Sequence, residues 1–591
     1  MSRRNGTKGC MLAVVLIAVM LSGCRRPVPE ETEEGGAYDP RTDPLVNPPS
    51  LFAEAPLDKT QIATDGTFYL LLEGSPNTLN PLFVSSMYEF TVVDCLYAGL
   101  FTFGKDMKWR VNEDMTESFD ESEDHTSFVV KLKPGLKWHD GEPVTAHDVV
   151  YSWQQILDPE VPCQTQKPSV EPIKECVALD NLTVKFVQPE PLATRLWNLL
   201  FPIIPKHIFE KEKEKHPDLK TGEYYTKQSR MPVGNGPYRI VEWRENDKIV
   251  VERWEDYKGR KPYAQRIVFR IIPDTNMALL SFEKGQVDVI DRLSAQQFAR
   301  ETNSESFAKV GCKGWGVQWD LGYIGWNMDG SNPFFGDKRV RRAMTHALNT
   351  PRILDELYYN LATPCYGMYH PDSWMFNPDV KLLGYDPEKS RGLLDEAGWA
   401  VDEDDGWRYK QVDGRKVRFE FTILIAQGSP VAAPIAAILQ ADLKRLGVEM
   451  KTQSVEWSSF LERVRKHEFQ AEMAAWGTGT DPDTGWNLWR TDQYEVGRNY
   501  GGYSNPRIDE LFAEGRREFD FEKRRKIYQE IHRILYDDQP YTWLYNRPIL
   551  AAFNRRIGGV QFSPRGVYNF DPSFYAWWVA KGRGGQMEKM P

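Results

Sequence analysis

The sequence predicts an α/β fold divided into two or three lobes. The chain has 591 residues, whereas a single hydrophobic core stops growing at roughly 250–300 residues. Strand-like and helix-like segments interleave along it without an internal repeat, which argues against an all-β protein or a solenoid. Its composition, 41% hydrophobic and 27% charged, excludes a wholly disordered chain. Its net charge of −10 makes it a poor general nucleic-acid binder, because neutralising phosphates takes a basic face.

The first elements predicted are a buried strand over 67–73, broken at Gly74-Ser75-Pro76-Asn77, and a half-buried strand over 127–133 before the turn Pro134-Gly135. Thr145 and Asp148 are spaced as a capping box, so a helix should run on through Ile156. Strands follow at 238–243, 248–254 and near 266–272, then a helix at 275–285 and a short strand at 287–290. In 337–348, Val340, Ala343, Met344 and Ala347 recur at helical spacing. A helix over 434–446 has Pro434 in its first turn and Gly447 just beyond its end, and a strand over 448–455 follows. The stretch 521–536 is amphipathic, with Ile527, Ile531, Ile534 and Leu535 on one face.

The N-terminus reads as an address. Arg3, Arg4 and Lys8 precede the apolar run Met11 to Leu21, which is shorter than the roughly 20 residues that span a bilayer but suits a secretory signal. It ends in Leu21-Ser22-Gly23-Cys24, which resembles a bacterial lipobox. That resemblance implies cleavage after residue 23 and a diacylglycerol on Cys24, facing the periplasm or the cell exterior. Residues 24–65 carry many prolines and no hydrophobic period, and read as a disordered tether. In an oxidising compartment Cys163 and Cys176, which bracket a polar loop, are candidates for a disulfide. Cys95, inside an apolar run, reads as a buried free thiol.

No enzyme constellation is present: no nucleophile elbow, no H-E-x-x-H and no Walker loop. The 9 histidines are scattered and fit no common zinc spacing, so neither a metal site nor a cofactor is expected. Asp481 and Asp483 are close enough to act as acid and base in a hydrolase, a weak competing reading.

Eight segments together resemble family 5 extracellular solute-binding proteins, the binding subunits of oligopeptide-, dipeptide- and nickel-type ABC importers. They are Gly74 to Pro81, Leu96 to Phe101, Leu132 to Gly141, Val144 to Val150, Gly234 to Tyr238, Asp337 to Ala343, Leu394 to Trp399 and Asn499 to Pro506. The resemblance implies a two-lobed periplasmic-binding-protein-like fold with mixed sheets, a hinge between the lobes and an extra subdomain inserted in lobe I. By that analogy lobe I is 66–102, 231–315 and 541–591, the inserted subdomain is 103–230, and lobe II is 316–540. It implies a non-enzymatic, monomeric clamp that captures a solute, with peptides the leading class, and hands it to a membrane permease driven by an ATPase. A surface receptor using the same cleft, or a binder of a non-peptide solute such as a metal chelate, are the alternatives.

Similar proteins contact their ligand just after the first strand, in the hinge segments and in a Trp-containing loop of lobe II. The corresponding residues are Ser85, Met87, Tyr88, Trp326, Trp476, Thr478, Asp481, Asp483, Trp486 and Tyr503. Aromatic rings offer a large contact area with few rotors. The sequence departs from the peptide-binding pattern at Gly479, where those members place the aspartate that pairs with the peptide's ammonium. Asp481 or Asp483 would then take the ionic role.

Overall fold

The computed structural model describes residues 38–84, 86–161, 163, 166–215, 217, 228–477 and 483–582. The molecule is organised around one mixed sheet of eleven strands. Its main strands are β1 (Thr67–Leu72), β2 (Tyr238–Arg244), β3 (Lys248–Arg253), β4 (Arg266–Ile271) and β5 (Val289–Ile290). They continue with β6 (Gly311–Trp326), β7 (Glu420–Ala426), β8 (Glu449–Val455), β9 (Ala471–Trp476) and β10 (Tyr541–Asn554). The spatial order is β8-β7-β9-β6-β10-β5-β1-β4-β3-β2, and the short strand Thr363–Pro364 adds to β10. β1 runs parallel to β4 and β5, β7 runs parallel to β8 and β9, and β6 pairs antiparallel with both β9 and β10.

Two long strands, β6 and β10, cross from one half of the sheet to the other. Their ladder slips between Val317 and Leu321 and again between Gly322 and Tyr323. Such irregularities bend a strand and interrupt its pairing, and here they fall at the middle of the crossing. Glycines of β6 make room for large side chains of the adjacent strands. A Cβ on Gly322 would stand 2.5 Å from the Tyr545 ring, and one on Gly325 would stand 2.6 Å from Glu472 Oε1.

The principal helices are α1 (Met87–Leu96), α2 (Ala146–Leu157), α3 (Lys338–Ala347), α4 (Ala432–Lys444), α5 (Asp483–Trp489), α6 (Pro506–Arg517) and α7 (Phe521–Asp538). Thr145 and Asp148 form the expected capping box at α2, and the predicted strands and helices are found within one to three residues of their expected ends. Leu70, Phe269, Phe553 and Trp577 belong to a core around β1 to β5. Trp326, Phe335, Trp399, Phe421 and Leu439 pack α3 and α4 on one face of the other half-sheet. Tyr323, Trp489, Phe512, Tyr528 and Trp543 pack α6 and α7 on its opposite face. A four-stranded sheet, with Phe128, Val130 and Phe186 buried against α2, forms a further unit.

Two family motifs are explained by a shared contact. Asn235 exchanges a pair of 2.9 Å hydrogen bonds with the backbone of Ala98. Gly234 and Gly236 lie against the Leu96 backbone, where a side chain would collide.

Two expectations are corrected. The tether does not extend to residue 65: residues 38–65 pack on the folded body. Leu51 and Ile62 are buried, and Asp43 receives an ion pair from the fully buried Lys313 at 2.6 Å. Desolvating that lysine requires a partner, which the segment supplies. Cys163 and Cys176 are not bonded; both thiols are free and buried in the core of the four-stranded sheet. Burial alone raises both, Cys163 to about 12, so neither carries the thiolate that would start an exchange. Cys95 is a free, fully buried thiol, as expected.

Candidate functional site

The sheet crossing carries a cluster of charges. Arg547 of β10 faces Asp320 of β6 at 3.7 Å, and Arg292, just after β5, lies 3.9 Å from both Glu73 and Asp291. Arg565 lies within electrostatic reach of Asp320 and Asp94. These groups reach water yet are walled by protein on their other sides. That surrounding penalises charge: it raises the carboxyls of Glu73, Asp291 and Asp320, lifts that of Asp94 to about 7, and lowers Arg565. A cavity of about 40 Å³ opens among Glu73, Met87, Tyr88, Arg292, Gln318 and Arg565.

The turn after β1 and α1 form one edge of this floor. Glu89 closes a capping box with Ser86 and also accepts the Asn77 N–H at 3.1 Å, which ties the Gly74 to Pro81 turn to the helix. Gly74 leaves room for the Tyr88 ring, 3.0 Å from where its Cβ would be. Met87 is exposed, and Asp94 lies two turns further along. Sequence reading missed Asp94, although its spacing from Met87 and Thr91 places all three along one side of α1.

An aromatic wall rises from β9. The Trp476 ring is half-buried and parallel to Tyr323 at 6.1 Å and near-parallel to Tyr500 at 6.3 Å, and its N–H donates to Tyr541 Oη at 3.3 Å. Tyr323 in turn stacks on Tyr541 at 3.9 Å. Wall and floor meet at Gly477, where a Cβ would lie 3.4 Å from Asp320 Oδ1. Glu472 is buried beneath, with one carboxyl oxygen unpartnered among the described residues, and burial lifts it to about 8.

Of the predicted contacts, Met87 and Tyr88 line the floor cavity and Trp476 forms the wall. Trp326 does not join them. It is fully buried against Phe335 and Phe421, with its N–H directed to Thr542 at 3.3 Å, because its position on β6 faces the helix-covered core. Tyr503 is also structural: its hydroxyl donates to Asp538 at 2.7 Å and ties the approach to α6 to the end of α7. Trp486 on α5 is clasped between the guanidinium groups of Arg490 and Arg516, at 3.8 and 4.1 Å. Ser85, Thr478, Gly479 and Asp481 lie outside the described residues, as does the side chain of Asp483 at the start of α5.

A second contact joins α6 to the four-stranded unit, away from the crossing. The Ala193 N–H donates to the Arg516 carbonyl at 2.7 Å, and Arg517 pairs with Glu190 at 3.3 Å. Phe519 stacks on His125 at 4.2 Å and lies 4.9 Å from the Arg195 guanidinium. Glu121 holds both His125 and Arg195.

Two half-sheets joined by crossing strands, with a charged floor and an aromatic wall at the junction, define a two-lobed binding protein of the periplasmic type. The model for "Bacterial extracellular solute-binding proteins, family 5 Middle" matches residues 110–495, and the chain belongs to that family. It is 30% identical over 519 residues to the oligopeptide-binding protein AppA of Bacillus subtilis, covering 86% of this chain and 90% of that one. The structure of AppA in complex with a nonapeptide superposes with a TM-score of 0.73 at 28% identity, over 88% of this chain and 100% of that one. The dipeptide-binding protein of Escherichia coli is 27% identical over 84% of this chain and 92% of its own. NikZ of Campylobacter jejuni, solved with Ni(L-His), shares the fold at a TM-score of 0.72 and 24% identity, covering 87% of this chain and 99% of that one. The chain is therefore a solute-binding protein and not an enzyme. No helix among the described residues is long and apolar enough to cross a membrane, and they hold no cluster of potential metal ligands.

Proposed function

We propose that the protein is the solute-capturing lipoprotein of an ABC importer, with peptides as its ligand class. Residues 1–23 are the export signal, Cys24 carries the lipid, and a short tether leads to the folded body at Tyr38. Lobe I comprises 66–102, 231–315 and 541–591, with 103–230 inserted in it, and lobe II comprises 316–540. The ligand lies between floor and wall, touching Ser85, Met87, Tyr88, Trp476, Thr478, Asp481, Asp483 and Trp486. The loaded monomer docks on a permease whose ATPase partner supplies the energy.

The observation that supports this reading is the place of the Trp476 wall, which adjoins Asp320 at Gly477, while Asp320 faces Arg547 of the other half at 3.7 Å. Aromatic area with a few polar groups suits a ligand that carries both backbone amides and side chains. The peptide and dipeptide named for the two relatives point the same way. Binding tighter in the closed arrangement shifts the population toward it.

The test is calorimetry and thermal unfolding of the purified chain with a library of short peptides. A bound peptide at 100 times its dissociation constant adds about 2.7 kcal/mol to stability. A chain that no peptide stabilises would end the peptide reading. Uptake of labelled peptide by cells that lose it on deletion of this protein separates import from a receptor role. Cys24→Ala should release the protein from the membrane fraction.

A further inference from the structure

Arg565 sits at the tip of a tight turn. Ser563 and Gly566 exchange two backbone hydrogen bonds of 2.9 Å, and the Ser563 hydroxyl accepts the Arg565 N–H at 3.1 Å. Gly566 has a φ of 103°, which a side chain would resist. The turn is pinned to the sheet crossing, because the Trp319 N–H donates to the Pro564 carbonyl at 2.9 Å. The Arg565 side chain is thus held at the seam by a short, braced element.

Two other sheltered arginines are well supplied with acceptors. Arg341 donates to the carbonyls of Phe335, Gly336, Asp538 and Gln539, and Arg556 makes two bonds to Asp288. Arg565 is half-buried, yet among the described residues its guanidinium has no hydrogen bond and no carboxylate within 4.0 Å. The Phe103 ring lies 5.4 Å from it, and the carboxyls of Asp320 and Asp94 act on it through their charge. Arg565, whose guanidinium carries five N–H donors, is among the residues that line the cavity shared with Met87 and Tyr88.

We infer that Arg565 is the seat for a carboxylate of the captured ligand, held by two parallel N–H···O bonds. This rests on the peptide-capture reading above and deepens it, by fixing the ligand's acidic end at the seam. A planar fork with open donors matches a carboxylate better than any neutral group. Asp94 and Asp320 keep the arginine charged.

The test uses the full chain and a randomised library of short peptides, prepared once with free C-terminal carboxylates and once with C-terminal amides. Retained peptides are measured by mass spectrometry for the wild type, Arg565→Gln and Arg565→Lys. The wild type should retain the free acids about tenfold or more over the amides, the scale of a charge-assisted contact. Arg565→Gln, with an unchanged melting temperature, should lose that preference while still retaining peptides. Arg565→Lys should keep part of it, and decides the matter if glutamine disturbs the turn. Equal retention of acids and amides by the wild type overturns the inference and leaves peptide capture standing, as does a full preference in either variant. Retention of neither library by the wild type overturns the capture reading, and this inference with it.

Discussion

Two contacts among the described residues are built differently. At the crossing, β6 and β10 share a long backbone ladder packed with buried aromatic rings. At the rim, the contact among the described residues includes a backbone hydrogen bond, an exposed ion pair and the Phe519 ring packed on His125 and near Arg195. Arg517 and Glu190 are 64% and 66% exposed, and exposed pairs contribute little. The crossing is thus a permanent joint, whereas the rim is a contact that thermal motion can break. A clamp needs that asymmetry: a small opening free energy lets a ligand decide the balance.

The largest expected effect lies on the permanent side. Arg556, just past β10, pairs with the fully buried Asp288 at 2.6 Å. Asp288→Ala leaves a buried cation without its carboxylate and should cost about 3–5 kcal/mol, read by chemical denaturation. Next is Glu472. Its folded carboxyl stands near 8 against an ordinary 4.5, so only the unfolded chain ionises as pH rises between those values. Stability is whole below pH 4.5 and falls as pH rises toward 8, by roughly a few kcal/mol. Glu472→Gln should flatten that slope; an unchanged slope would show that Glu472 is not its source. Gly322→Val should cost about 1–3 kcal/mol by forcing the Tyr545 ring aside. The rim comes last. Phe519→Ala should weaken ligand binding a few-fold, on the scale of about 0.5–1 kcal/mol for an exposed cation–π contact. Arg517→Ala should change stability by less than about 1 kcal/mol. A rim variant as damaging as Asp288→Ala would erase the proposed asymmetry.

The sequence was most legible where local chemistry and period agree, as in the Thr145 and Asp148 box and the apolar stripe of α3. It was least legible at the crossing. β10 is buried on both faces and shows no alternation, and β6 is interrupted by glycines that matter only through rings from other strands. The packing of residues 38–65 draws on Lys313, which is 275 positions from Tyr38. In the site, Met87, Tyr88 and Trp476 were within reach of the family pattern. Asp94, Arg292, Asp320, Arg547 and Arg565 were not, since 74 basic and 84 acidic residues look alike until folding gathers them. Trp326 and Tyr503 misled because an aromatic ring suits a core as well as a ligand.

Hinged closure itself is measured most directly by the distance between the lobes. Spin labels at the exposed positions Leu179 and Val496 report it by pulsed electron resonance, with and without the peptide library. The account predicts a broad distribution in the free protein that narrows and shortens when peptide binds. One narrow distance, identical in both states, would contradict it.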